Sequence, residues 1–420
     1  MAHPFVIYGD SPQLPSGLGR ILRDLASRCV ANEDLLGIRV ATVGVSETTG
    51  LDWLSWPHFR FQPTWNDQGE QEVARAIAFL RDLGCTERPI VLTIFDPSRA
   101  FAVLNARNDD RIPRETHVWG YFPIDGHPVG ETIGGPAGEM IRTVDRCLAY
   151  GRYGSHILSK TREEEISYLP HGLEVDAWRW TPPREGEDPV FWEWRNSLPE
   201  DTIVVGVVAT NQPRKDHAIV FEVIRPLEDR LQCPVALWVH TDFLTRAWDF
   251  GELARIYGLA GRGRVFVSAA RGDLAGAGEV LSDRMLARRY VGSSFTVAPG
   301  LGEGFGYPIL ESLLCGTPVV HVRYAGGAEL LPLPAATVPY AWLRAEGIYG
   351  IQRPIIDADA LLLTCATVVQ EGLHLSPQIY RGAARWYAWE HVWPAWQQWM
   401  RDGIAQARSR NTHAAGLETT

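Results

Sequence analysis

Lysine is almost missing from this chain. Of its 40 basic residues all but two are arginine, the exceptions being Lys160 and Lys215. A compact ammonium is a point charge that a broad guanidinium cannot copy in a tight site. A chain that otherwise writes arginine therefore singles out these two positions, and Lys160, in the charged stretch SKTREEE, reads as a solvated surface residue. Long apolar runs are missing too. No segment approaches the roughly 18 residues a membrane-spanning helix requires, which excludes an integral membrane protein of that kind. Positive charge is in deficit, with a net charge of −10. Nonspecific nucleic-acid binding rests on many uncompensated cations, so a general polyanion binder is excluded and only a local basic groove stays open. Closely spaced cysteine pairs are absent, and Cys29, Cys85, Cys147, Cys233, Cys315 and Cys365 are scattered, mostly in apolar runs. They read as buried thiols of a reducing compartment, not as a disulfide or zinc framework. The opening MAHPFVIYGDSPQ lacks a basic leader and reads as a first strand. The expected location is the cytoplasm.

What is present is an α/β pattern. With 420 residues, 45% apolar and 21% charged, the chain is a globular protein too long for one core, and two domains are expected. PFVIYGD, PIVLTIF, HVWGYF and CLAYG read as strands of the first, separated by helical patterns. TIVVGVVAT, VALWVH, RVFVSA, FTVAP and PVVHV repeat the theme in the second. The predicted fold is two doubly wound, Rossmann-like domains facing each other across a cleft, with ligands outside the carboxyl ends of the strands. The expected boundaries are residues 1–178, a Pro- and Gly-rich linker at 179–189 (RWTPPREGEDP), residues 190–385, a C-terminal helix at 386–407 and a disordered tail at 408–420.

Two glycine-bearing turns offer backbone N–H groups to a ligand. In SPQLPSGLGRILRDLASRCV they belong to Ser16, Gly17 and Gly19, just before a helix whose apolar face is Leu18, Ile21, Leu22, Leu25 and Cys29. A dinucleotide fingerprint would need a third glycine where Leu22 stands. The second turn is PGLGEGFGYPILESLLCGTPVV, a loop running into a helix opened by Pro308. Glu303 falls in the loop and Glu311 in the first helical turns, both aimed at one cleft. Gly304 and Gly306 flank Phe305 and allow close approach of a ligand to the backbone.

The stretch EGFGYPILE resembles the E-x7-E motif of the retaining glycosyltransferases of family 4, which have the GT-B fold. SGLGR, YLPHGLEVDAW, ATNQPRKDHAIV and CGTPVVHVRYAGGAELL look like further segments of that family, so the resemblance runs along most of the chain. It implies an acceptor-binding first domain, a nucleotide-sugar-binding second domain, and a C-terminal helix that returns to the first. Carried over by position, Glu303 would contact the donor sugar and Glu311 the ribose. The N–H groups of Gly304, Phe305, Gly306 and Tyr307 would hold sugar and phosphate. Ser16, Gly17 and Gly19 would meet the diphosphate, and Lys215 would bind it. Thr210 stands where the family places an arginine, leaving Arg214 as the second cation. The family's acceptor-side histidine is also missing from GYFPIDGHPVG. Asp125 or His127 would take that role, Asp125 being favoured because it follows the strand.

The activity implied is transfer of a hexose from a nucleotide-diphosphate sugar, UDP-linked and UDP-glucose-like, to a hydroxyl acceptor with retention. Catalysis would fall to Glu303, Lys215 and Asp125, with no cofactor and no metal. Asp357-Ala358-Asp359 mimics a metal-binding triplet but reads as a helix cap. Two other readings compete: a silent sugar-nucleotide binding protein and an NAD(P)-dependent oxidoreductase. The C-terminal indoles Trp386, Trp389, Trp393, Trp396 and Trp399 lie on one helical face that is expected to bend at Pro394 and to pack in a core.

Overall fold

The computed structural model describes residues 2–14, 16–45, 54–64, 67–178, 188–241, 247–269, 281–346, 350–372 and 376–415. Its strands in chain order are β1 (His3–Asp10), β2 (Ile38–Val45), β3 (His58–Phe61), β4 (Ile90–Ile94), β5 (His117–Phe122), β6 (His127–Pro128), β7 (Arg146–Ala149), β8 (Ile203–Val208), β9 (Val235–Thr241), β10 (Val265–Ala269), β11 (Phe295–Ala298), β12 (Val319–Val322), β13 (Thr337–Val338), β14 (Tyr340–Glu346) and β15 (Ile351–Ile356). Two compact units result. One comprises Met1–Ile124, Pro128–His171 and Glu390–Thr420, the other Asp125–His127 and Gly172–Trp389. The segments 172–178 and 386–389, expected in the first domain and its returning helix, thus belong to the second unit.

The first unit is built on a parallel sheet of order β3-β2-β1-β4-β5-β7. A parallel sheet covered by helices on both faces needs apolar residues at consecutive positions. Phe5, Val6, Ile7 and Tyr8 are accordingly all fully buried. The helix Gly17–Ala31 buries Ile21, Leu22, Leu25 and Cys29 as its spacing predicts, with Leu18 half-buried. The C-terminal helix spans Trp389–Ala415 and passes through Pro394 without a break. Pro394 is only five residues past the helix start, where few intrahelical bonds depend on its missing N–H. Residues 408–415, read as tail, are helical, consistent with the good helix formers Ala, Arg and Gln before them. Trp396 is fully buried against Tyr121, ring centroids 4.8 Å apart, and Trp399 packs on Trp119 at 5.2 Å. Trp386 departs from the expected face, lying in a short 3-10 turn, 74% exposed.

The second unit carries a parallel sheet of order β10-β9-β8-β11-β12-β13. β14 and β15 pair antiparallel beside it, with His127 of β6 on the far side of β15. Both six-stranded sheets reverse their strand order once, between β1 and β4 and between β8 and β11. In open parallel sheets such a reversal leaves a crevice at the carboxyl ends of the two strands. Most of the expected linker, 179–187, lies outside the described residues. Of its last two residues Asp188 is packed: it caps the helix Pro189–Ser197 by position, and its carboxylate takes a bidentate pair of bonds from Arg289. Both side chains of that pair are 2% exposed.

A buried ion pair is costly to break because the survivor is left charged and unsolvated. Asp188→Ala is therefore expected to lower stability by about 3–5 kcal/mol, read as an earlier urea midpoint, whereas truncating the exposed Arg255–Glu252 pair in the same way should leave the midpoint nearly unchanged.

Candidate active site

At the strand reversal of the second sheet, the segment after β8 supplies Thr210, Arg214 and Lys215, and the loop after β11 supplies Gly300 to Gly306. Lys215 closes a 3-10 turn at Pro213–Lys215. Its side chain is 9% exposed, and its Nζ donates to Glu303 Oε1, whose side chain is 14% exposed. The two loops are stitched by backbone as well. Leu301 N donates to the Arg214 carbonyl at 2.8 Å, and Arg214 Nη1 donates to the Gly302 carbonyl at 3.1 Å. Burial pulls the Lys215 ammonium below its ordinary value, with the Glu303 charge opposing and Arg214 adding to the fall. For Glu303 burial pushes the other way, but Lys215 and Arg214 outweigh it and hold the carboxyl below the usual range.

Asp125 belongs to this cluster, not to the first unit as expected. Its carboxylate takes two bonds of 3.1 Å from Arg353 Nη2, and Arg214 Nη1 lies 3.7 Å away. Arg353 also donates to the Asp125 carbonyl and, through Nε, to Glu346 at 2.7 Å. A carboxylate so engaged is a structural anchor first, because charge-assisted bonds from one guanidinium to both of its oxygens fix its orientation. Arg353 was not singled out from the sequence, since nothing local marks an arginine whose partner is 228 residues away. Gly302 makes the contact possible. Its φ of 152° suits glycine, and a Cβ there would lie 1.9 Å from the Asp125 carbonyl oxygen. His127 is half-buried, and its N–H donates to Tyr324 Oη at 2.6 Å.

Glu311 sits in the helix Tyr307–Leu314, 5% exposed, and accepts from Tyr290 Oη at 2.9 Å. Gly306 precedes that helix with φ 107°, and Phe305 and Tyr307 are buried with their rings 5.6 Å apart. Gly304 presents its carbonyl to Gly326, where a Cβ would stand 2.6 Å away. Thr210 is exposed, and its carbonyl lies 3.1 Å from His217 Nε2. In the first unit, Ser16 Oγ accepts from Gly19 N at 3.0 Å and donates to Asp10 Oδ2 at 2.8 Å. The Gly19 N–H, expected to face a diphosphate, is thus engaged in a helix cap, while Gly17 is exposed. The sequence also passed over His321, buried beside Glu303, because a lone histidine in a strand carries no signal of its own. Asp357 accepts from Ala360 N at 3.1 Å as a cap. No group of three His, Cys, Asp or Glu that suits a metal ion occurs among the described residues, and among them no helix is long and apolar enough to cross a membrane.

No protein-family model matches the chain, and no curated protein matches its sequence. Solved structures do match. HepE of Anabaena in complex with UDP and glucose is 14% identical with a TM-score of 0.60, the match covering 97% of this chain and 100% of that one. Sucrose-phosphate synthase of Thermosynechococcus elongatus is 15% identical with a TM-score of 0.66, over 96% of this chain and 100% of its own. WaaG, a glycosyltransferase involved in lipopolysaccharide biosynthesis, is 15% identical with a TM-score of 0.60, over 95% and 98%. The fold is that of GT-B glycosyltransferases, two Rossmann-like α/β units in one chain.

The depressed carboxyl of Glu303 sets a pH dependence. Its folded value lies below the unfolded one, about 4.3, so the stability it contributes is complete above that pH and is lost as pH falls through the folded value. The difference in melting temperature between the parent and Glu303→Gln is expected to be largest at pH 7 and to shrink steadily below about pH 4. A difference that grows on acidification would reverse the assigned direction.

Proposed function

We propose that this chain is a retaining glycosyltransferase that moves a hexose from a UDP-linked sugar to a hydroxyl acceptor in the cytoplasm, without a metal ion. The observation that carries this reading is the buried Lys215–Glu303 pair at the strand reversal of the second sheet, in a fold shared with a protein solved with UDP and glucose. As the glycosidic bond to the diphosphate breaks, charge grows on the leaving group and the sugar becomes oxocarbenium-like. Lys215 and Arg214 are the fixed cations for that charge, and preorganised charges count most where they need not reorganise. Glu303, released from Lys215 by the diphosphate, then faces the sugar hydroxyls. Glu311, steadied by Tyr290, is the ribose ligand. The N–H groups of Gly304, Phe305, Gly306 and Tyr307 complete the sugar and phosphate contacts. The acceptor hydroxyl attacks from the face the nucleotide leaves, which retains configuration.

A silent sugar-nucleotide binder is the second reading, favoured by two observations. Thr210 replaces a cation, and Asp125 is engaged by Arg353 in place of standing ready for an acceptor. Nucleotide release from a panel of sugar nucleotides, with and without hydroxyl acceptors, separates the readings: binding without release in any combination supports the silent protein. Activity abolished by EDTA and restored by manganese would overturn the metal-independent mechanism.

Within the enzyme reading Lys215→Ala is expected to lower turnover by about 10²- to 10³-fold, as when one charge-stabilising donor is lost. Lys215→Arg should recover little of it. Lys160, exposed and 3.3 Å from Glu131, serves as the control, and its alanine variant should turn over like the parent. Near-parental turnover of Lys215→Arg would show that only charge is needed at the site.

A further inference from the structure

His321 closes β12 one residue before its end, with 1% of its surface exposed. Its Nδ1 lies 2.8 Å from the Ala298 carbonyl, and since a carbonyl only accepts, Nδ1 carries the proton. Nε2 is buried and has no hydrogen-bond partner. Such an orphan is costly, because a buried polar atom without a partner forfeits its hydration. The orphan faces the Glu303 stem. A Cβ built on Gly327 would lie 2.6 Å from His321 Nε2 and 3.1 Å from Glu303 Cβ, so the space that a side chain at 327 would fill adjoins both the ring edge and that residue.

We propose, building on the donor-site reading above, that a nucleotide-diphosphate sugar binds together with one proton, which His321 takes at Nε2 to become the counter-charge of Glu303. In the ligand-free protein Lys215 serves Glu303, and the diphosphate must draw that ammonium away. Glu303 would then be a buried carboxylate without a cation, a costly state. An imidazolium at 321 supplies the missing charge and gives the orphan Nε2 a donor role. The proton comes from bulk solvent, and no bond other than N–H forms.

The groups acting on the ring agree with this direction. Burial is the main influence that keeps the imidazole neutral, and the Lys215 ammonium adds to it. The Ala298 carbonyl, the Glu303 carboxylate from the loop after β11 and the Tyr324 backbone all favour the protonated form. Arg214 acts on Lys215 and on Glu303 alike, and Asp125 acts on Lys215. A diphosphate cancels the Lys215 charge and leaves Glu303 in place, so the balance moves toward protonation when the ligand arrives.

The test is titration calorimetry of the full chain with UDP-glucose, whose diphosphate has no proton that titrates near neutral pH. Heats are compared at pH 7 in phosphate and in Tris, buffers of very different ionisation enthalpy. Uptake approaching one proton per UDP-glucose is expected for the parent, with affinity rising as pH falls, up to about tenfold per unit. His321→Asn keeps a donor for the Ala298 carbonyl and lacks Nε2, and its uptake should vanish while binding persists more weakly. Uptake that survives in His321→Asn would place the proton on another group, Glu303 first, and would overturn the proposal. Parent binding with no uptake would overturn it too, without need of the variant and without harm to the donor-site reading. No binding of UDP-glucose at all would overturn both.

Discussion

A buried ammonium needs a counter-charge, and the second unit is organised around meeting that need. Lys215 reaches Glu303 only because the turn after β8 and the loop after β11 leave adjacent parallel strands at the point where the strand order reverses. Each neighbouring feature answers to the same pair. Arg214 is held by the Gly302 carbonyl, Gly302 lacks a side chain so that Asp125 can approach, and Arg353 absorbs the charge of Asp125. The result is an alternation of cations and carboxylates in which no charge is left alone. A ligand that brings only an anion would claim Lys215 and strand Glu303. One that brings an anion and hydroxyl groups together can satisfy both.

The sheets were legible because both kinds of strand are written in contiguous apolar runs, as burial on two faces demands. Lys215 was legible for a compositional reason, its rarity, and Glu303 and Glu311 for their setting among glycines. Arg353, Tyr290 and His321 were not, since each acts on a partner brought close by topology and not by spacing. The Ser16 cap shows the converse. Ser16, Gly17 and Gly19 read as a phosphate loop, yet a serine before a helix also satisfies its own helix, and here its Oγ takes the Gly19 N–H. Asp125 was misplaced for the same reason. Following the strand β5 in sequence, it was assigned to that strand's domain, whereas the chain hands three residues to the other unit before returning.

That excursion bears on how the protein is made. Asp125–His127 are part of the second unit, but the remainder of that unit begins at Gly172, and the arginine that receives Asp125 lies 228 residues further along the chain. At ribosomal rates of about 5–20 residues per second, Asp125 waits roughly 10 to 50 seconds for its partner to be synthesised. For most of that interval, once β7 has been made, the first sheet has all its strands while the carboxylate still lacks Arg353. Residues 390–420 complete the first unit only after the second has been synthesised. Neither unit corresponds to a continuous piece of chain, so no single cut separates them, and each becomes whole only after the other has been nearly finished.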